Sequence, residues 1–184
     1  RIDVVKGPAG ALFGSGQGGG SQATLGGTIA ITTAAPTNTA TRQVAARLGS
    51  YGERGVSLDV NQPLGATVSA RMVADVSSTD SETDGVFFHR VGLFPSLAWR
   101  SRSGTSAVVR MRWLDASTLD YSGLPTFGTL DTSTMTLPRN TGIAATGQPD
   151  TTTDSRGVNV QVSHALSARW TLGLTAASTR STAM

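Results

Sequence analysis

Few stretches of this chain combine residue types at spacings that do chemistry, and the most conspicuous is Gly14-Ser15-Gly16-Gln17-Gly18-Gly19, which satisfies G-x-G-x-x-G. Between a strand and a helix that spacing lets backbone amides approach a pyrophosphate. Here the following stretch, residues 20–28, has no amphipathic helical face, and about twenty residues on stand Asn38, Thr39 and Ala40 rather than the acid that would hold a ribose hydroxyl. No Gly-Lys-Ser/Thr of a phosphate loop occurs either, so the segment reads as a glycine-rich hairpin and not a nucleotide site. The absence of cysteine removes disulfides and thiolate metal sites, and His89 and His164 are too far apart in sequence to suggest an imidazole cluster. No protein-held metal or cofactor is expected. Serine, histidine and aspartate are present without a nucleophile elbow or a helix to mount it, which argues against an enzyme. Of 15 basic residues 14 are arginine, spread singly from Arg1 to Arg180 with close pairs only at Arg100/Arg102 and Arg110/Arg112. They form no stripe interleaved with aromatics, and nucleic acid is not an expected partner despite the net charge of +3.

The elements that carry these residues are strands. At 184 residues with 15% charged, 38% hydrophobic and 5% aromatic residues, the chain has fewer charges than a typical soluble surface needs. No apolar run approaches the roughly 18 residues of a membrane-spanning helix. The sequence opens mid-pattern at Arg1-Ile2-Asp3-Val4-Val5, without an initiating Met or a leader, and is expected to be a piece of a longer protein. Composition changes near Pro36: residues 1–37 are glycine-rich with short β-like runs at Ile2–Val5 and Thr28–Thr32, and from Thr41 onward apolar and polar residues alternate.

The alternation has period two. Val44, Ala46 and Leu48 share one face, as do Val56, Leu58 and Val60, and then Val68, Ala70, Met72, Ala74 and Val76. Val91, Leu93, Leu97 and Trp99 follow, then Ala107, Val109, Met111 and Trp113; the last two sets are Val158, Val160 and Val162, and Trp170, Leu172, Leu174 and Ala176. About seven strands of nine to eleven residues are predicted, longer than ordinary globular strands and long enough to cross a bilayer when tilted. The opposite face carries Arg47, Asp59, Arg71, Asp75, Arg110 and Arg112, charges that are costly in a dry sandwich core and at home in a wet lumen. Short links at 61–66, 101–104 and 165–168 alternate with longer ones at 78–86 and about 116–153, apart from a tight first link at 51–54. The predicted fold is all-β: an antiparallel transmembrane β-barrel segment with Trp99, Trp113 and Trp170 near strand ends as interfacial aromatics. A soluble sandwich, or an adhesive all-β module, is the competing architecture.

The first region carries a resemblance. Arg1-Ile2-Asp3-Val4-Val5-Lys6-Gly7-Pro8-Ala9-Gly10-Ala11-Leu12-Phe13-Gly14, followed by Gly26-Gly27-Thr28-Ile29-Ala30-Ile31-Thr32, resembles the end of the plug domain of TonB-dependent outer-membrane receptors. Lys6, Gly7, Pro8, Gly14, Gly26 and Gly27 are the positions that carry it. The resemblance continues through Leu48-Gly49-Ser50-Tyr51-Gly52, Pro95-Ser96-Leu97-Ala98-Trp99-Arg100, Tyr121-Ser122-Gly123-Leu124-Pro125 and Val162-Ser163-His164-Ala165-Leu166, and is nearest to the ferric-siderophore branch. It implies residues 1–37 as the C-terminal part of a plug and 38–184 as the first strands of a barrel of about 22 strands, with a long extracellular loop at about 116–153.

What the resemblance implies about function is import without catalysis. A ferric siderophore would bind between plug and loops at the bacterial outer membrane, with the inner-membrane protein TonB energising transport through an N-terminal part absent from this sequence. Outer-membrane lipid would surround the wall. Phe13, Tyr121 and Leu124 are the implied ligand contacts. The lumen charges Arg47, Arg71, Arg110 and Arg112 would steer an anionic chelate or pair with carboxylates such as Asp59 and Asp75. The chain departs from the pattern at Phe13, where Tyr is common, at Ala30, where Asn is usual, and in the Gly/Ser/Gln-rich residues 15–25. A same-family importer of a vitamin such as B12, a glycan or another metal chelate would share the same plug and barrel.

Overall fold

A computed structural model describes residues 2–6, 27–31, 34–119 and 150–184. Two short strands, β1 (Ile2–Lys6) and β2 (Gly27–Ile31), pair antiparallel with Ile2 opposite Ile31. Seven longer ones form a second antiparallel sheet: β3 (Thr41–Leu48), β4 (Arg54–Pro63), β5 (Val68–Asp80), β6 (Phe87–Arg100), β7 (Thr105–Thr118), β8 (Thr151–Ala165) and β9 (Thr171–Ala183). They lie in chain order, each hydrogen-bonded to the next, as an up-and-down meander. No helix among the described residues is long and apolar enough to cross a membrane.

Register decides which side chains share a face, because directly opposed residues point the same way. Leu58 stands opposite Val44 on one side and Ala74 on the other; Ala74 opposes Leu93, and Leu93 opposes Trp113. Every apolar set read from the sequence therefore falls on one face, and its members stay in phase across the seven strands. Among the described residues no second layer covers that face. Val44 is 69% and Leu174 68% exposed, while Ala98 and Leu119 are the buried hydrophobic residues among those described. A water-soluble sandwich would bury this face against another sheet. A sheet facing hydrocarbon exposes it.

Strands β5 to β9 are longer than the alternation indicates, reaching 15 residues in β8. The added residues include 116–118, 151–157 and 177–183, where Ser and Thr obscure the apolar–polar contrast but still suit an extended backbone. Connections at one end shrink to 64–67, 101–104 and 166–170. At the other end the turn at 49–53 is tight: Tyr51 and Gly52 have φ of 55° and 66°, and Glu53 N donates to Ser50 O at 3.2 Å, the geometry of a primed hairpin turn. Longer links at 81–86 and 119–150 share that end. Trp99 and Trp170 lie toward the short-turn end and Trp113 toward the other.

The two faces should respond oppositely to charge. In the full-length protein, Val160→Arg on the apolar face is expected to destabilise insertion into lipid by about 2–4 kcal/mol, with Thr175→Arg, on the polar face of the neighbouring strand, nearly neutral. Reversible urea folding into phosphatidylcholine vesicles measures both; equal costs would refute the assignment of faces.

Candidate functional site

The polar face is the part of the sheet equipped to meet a ligand or another part of the protein. Pairing places all six charges predicted for it, Arg47, Asp59, Arg71, Asp75, Arg110 and Arg112, on this one face. Two guanidiniums that the alternation does not single out, Arg90 and Arg100, join them, since β6 extends to both. Six arginines thus face the same side as two aspartates.

The carboxylates are both committed. Arg71 grips Asp59 as a fork, Nε donating to Oδ1 at 2.8 Å and Nη2 to Oδ2 at 2.5 Å, a charge-assisted bidentate pair. Asp75 faces Arg90, whose Nη2 donates to Oδ1 at 3.4 Å and whose Nε lies 3.3 Å from Oδ2, in ion-pair range but not aimed for a hydrogen bond. Gly92 makes room for this pair: a Cβ there would stand 2.7 Å from Asp75 Oδ1 and from the Phe94 ring. By contrast, Arg110 Nη1 donates to the neutral Gln161 Oε1 at 3.4 Å with its Nε buried and unpartnered, and Arg112 Nη2 donates to Ser155 Oγ at 3.0 Å. Arg47 stretches over Gly55, where its Nη2 would lie 3.7 Å from an added Cβ. Neighbouring carboxylates therefore neutralise Arg71 and Arg90, while β7 keeps two cations, Arg110 and Arg112, whose partners among the described residues are neutral.

A second constellation sits at the short-turn end, where the segment leading into β3 crosses the polar face. Asn61 is fully buried; it accepts from Thr37 N at 2.9 Å and its Nδ2 donates to Thr37 O and Thr37 Oγ1 at 3.0 and 2.9 Å, and to Thr39 O. Arg100 Nη2 donates to Pro36 O at 2.7 Å and Nη1 to Asn38 Oδ1 at 3.2 Å. Ser69, also fully buried, donates to the same Asn38 oxygen at 3.0 Å, and Arg71 Nη1 reaches Ala35 O at 3.5 Å. Four wall residues from β4, β5 and β6 thus hold a short irregular backbone that has no ladder of its own, satisfying polar groups that would otherwise be costly where buried. The alternation puts Asn61 on the polar face and gives no sign of a partner 24 positions away.

Among the plug-motif positions, Lys6 ends β1 opposite Gly27 at the start of β2. Gly7, Pro8, Gly14 and Gly26, together with the ligand candidates Phe13, Tyr121 and Leu124, lie outside the described residues. The histidines are separate: His164 Nδ1 is 2.8 Å from Thr105 Oγ1, and His89 packs at a tilt against Phe87 with centroids 4.8 Å apart. No group of three potential metal ligands occurs among the described residues.

No family model matches the chain. It is 33% identical over 133 residues, 70% of its own length, to the ferrioxamine B receptor of Salmonella typhimurium strain SL1344, of which it covers 18%. It is 28% identical over 129 residues to the catecholate siderophore receptor Fiu of Escherichia coli O157:H7, covering 16% of that protein. Among solved structures, the ferric-catecholate import receptor Fiu of E. coli K12 in its open form superposes with a TM-score of 0.85 at 22% identity, covering 99% of this chain and 28% of the receptor. The ferripyoverdine receptor of the Pseudomonas aeruginosa outer membrane, bound to ferripyoverdine, superposes with a TM-score of 0.78 at 23% identity, covering 95% of this chain and 23% of that one. The chain spans less than a fifth of the two curated relatives.

The clasp around residues 35–39 has a measurable consequence. Asn61→Ala in the full-length protein is expected to cost about 1–3 kcal/mol locally, by unpairing Thr37 and Thr39. Hydrogen exchange at the Thr37 amide should quicken roughly tenfold or more while mid-strand amides of β5 stay protected. Unchanged Thr37 protection would show that the clasp holds nothing.

Proposed function

Because the chain belongs to the TonB-dependent outer-membrane receptors, we propose that the complete protein imports a ferric siderophore across the bacterial outer membrane. The observation that carries this reading is the sequence match to a receptor named for ferrioxamine B across most of the chain. The second named relative, a catecholate receptor, keeps the ligand class at siderophores without choosing among them.

In this reading residues 1–37 are the end of the plug, 38–184 are barrel wall, and the segment at about 116–153 is an extracellular loop. The protein makes and breaks no covalent bond. The chelate is held between the plug apex and the loops, with Phe13, Tyr121 and Leu124 supplying apolar and aromatic surface to the ligand. The motif Lys6-Gly7-Pro8, with Gly14, Gly26 and Gly27, gives the plug the tight turns that it needs to fit inside the wall. TonB, acting on a plug part beyond this sequence, displaces the plug.

The polar face then lines the lumen. Asp59 and Asp75 neutralise Arg71 and Arg90, so those pairs brace the wall, whereas Arg110 and Arg112 leave a positive field for an anionic chelate. Asn61, Ser69, Arg71 and Arg100 fasten the plug-to-wall linker, so that force on the plug is resisted at a defined point.

Ligand protection tests the reading. The full-length receptor in detergent should rise in melting temperature with a ferric siderophore from a panel of ferrioxamine B, a ferric catecholate and ferripyoverdine. A response to cobalamin or a glycan alone would overturn it. For the arginines, the double variant R110Q/R112Q is expected to weaken binding of a net-negative chelate about tenfold at low salt and less at high salt, leaving a neutral chelate unaffected. Equal loss for both chelates would assign these residues a structural role instead.

A further inference from the structure

The polar face changes character across the sheet. On β4, β5 and β6 it is crowded: Asp59 pairs with Arg71 and Asp75 with Arg90, the Phe94 ring lies against Gly92, and the wall holds residues 35–39. On β8 and β9 it is bare. Every residue that these two strands turn to the polar face is Gly, Ala, Ser, Thr, Asn or Gln, from Thr151 to Ala165 and from Thr171 to Ala183. Their charged residues, Asp154, Arg156 and Arg180, all stand on the other face. The result is a strip two strands wide with no charge, no aromatic ring and no Val, Leu, Ile or Met.

The border of the strip is β7. Its two polar-face arginines both reach toward β8 and not toward β6: Arg112 Nη2 donates to Ser155 Oγ at 3.0 Å, and Arg110 Nη1 to Gln161 Oε1 at 3.4 Å. Arg112 stands opposite Gly157 and Arg110 opposite Asn159, so the two guanidiniums splay apart. One points toward the long connections and the other toward the short turns. Their anchors, Ser155 and Gln161, are about 20 Å apart along β8. Between the anchors lie Gly157 and Asn159, with Thr179 and Ala177 opposite them on β9.

We propose that this strip is the side of the lumen along which an anionic chelate passes, with Arg112 as its outer station and Arg110 as its inner one. The assignment rests on the reading that the complete protein imports a ferric chelate, and it names the part of the wall that the chelate follows. A cargo crosses a pore when several sites hold it, each weakly enough for it to leave. A guanidinium bonded to a neutral hydroxyl or amide keeps its charge for an anion, whereas Arg71 and Arg90 already face carboxylates. Hydroxyls and amides along the strip exchange hydrogen bonds with a hydrated cargo as water does, and short side chains leave the lumen wider on this side. A plug segment would need apolar surface or a counter-charge to pack against. The strip offers neither, and both are found on β4 to β6, where residues 35–39 are fastened.

Thr179, which faces Gly157 across the strip, provides the test. The full-length receptor is expressed in cells lacking other receptors for the chelate, with surface binding of radiolabelled ferric siderophore read in de-energised cells and uptake in energised ones. Thr179→Trp should lower uptake about tenfold and leave surface binding within about twofold of wild type. Gln43→Trp, on the polar face of β3 opposite Asp59, should change neither. Thr179→Asp, close to threonine in size, puts a carboxylate on the strip and should slow uptake of a net-negative chelate about tenfold while sparing a neutral one. This variant decides the outcome if T179W does not reach the surface. Wild-type uptake of the net-negative chelate by T179D, an equal loss of uptake in Q43W, or loss of surface binding by T179D would each overturn the proposal. The last result would place the strip in the binding site or against the plug. If the unmodified receptor takes up no ferric siderophore, the transport reading falls and the passage with it; wild-type uptake that T179W and T179D leave unchanged refutes the passage alone.

Discussion

The continuous antiparallel ladder from β3 to β9 is the interaction on which everything else in this chain depends. In a hydrocarbon environment no water is available to satisfy a backbone N–H or C=O, so each strand must find its partners in its neighbours. Once the ladder is set, side-chain direction follows with period two and cannot be adjusted residue by residue. One face becomes lipid-facing along its whole width, and the other becomes the surface on which polar chemistry can be built. A one-residue slip between β4 and β5 would put Arg71 and Asp59 on opposite faces, so the pair between them depends on this register.

On the polar face the ladder brings together charges that the chain scatters. Asp59 and Arg71 are 12 residues apart and Asp75 and Arg90 are 15 apart, yet both pairs close across adjacent strands. The wet side also accommodates an irregular segment, residues 34–40, by lending it hydrogen bonds from Asn61, Ser69, Arg71 and Arg100. Such a segment would be intolerable on the lipid side, where its unpaired carbonyls would face hydrocarbon. Burial follows the same logic, since Asn61, Ser69 and Ser155 are buried polar residues of this sheet while the long apolar side chains of the other face stay exposed. Inside and outside are exchanged relative to a water-soluble protein, and on the polar face arginines outnumber aspartates among the described residues.

Much of this architecture is legible in the sequence because β alternation is local. Val68 to Val76 reads as a half-apolar strand without knowledge of any partner, and the charged residues at odd positions of β4 and β5 follow from the same count. Where Ser and Thr flatten the contrast, as in 116–118 and 151–155, the pattern does not locate strand ends, since both residues are polar yet extend readily. Arg90 gives no signal of its own because it precedes the first apolar residue of the Val91–Trp99 alternation, although its parity puts it beside Asp75. The clasp is illegible, because the contacts of Asn61 with Thr37 and of Arg100 with Pro36 span 24 and 64 residues and leave no periodic trace.

Long strands with one apolar and one charged face are thus written into the chain, since a two-residue repeat needs no partner to be read. The glycine-rich plug-like motif is equally local, matching a family text before any fold is known. Other outcomes arise only when the sheet is assembled: which charges neutralise one another, which arginines remain for a ligand, and toward which strand they reach. They depend on the stagger between neighbouring strands, and stagger is settled by turns and pairing across the sheet, where no single strand contains the information.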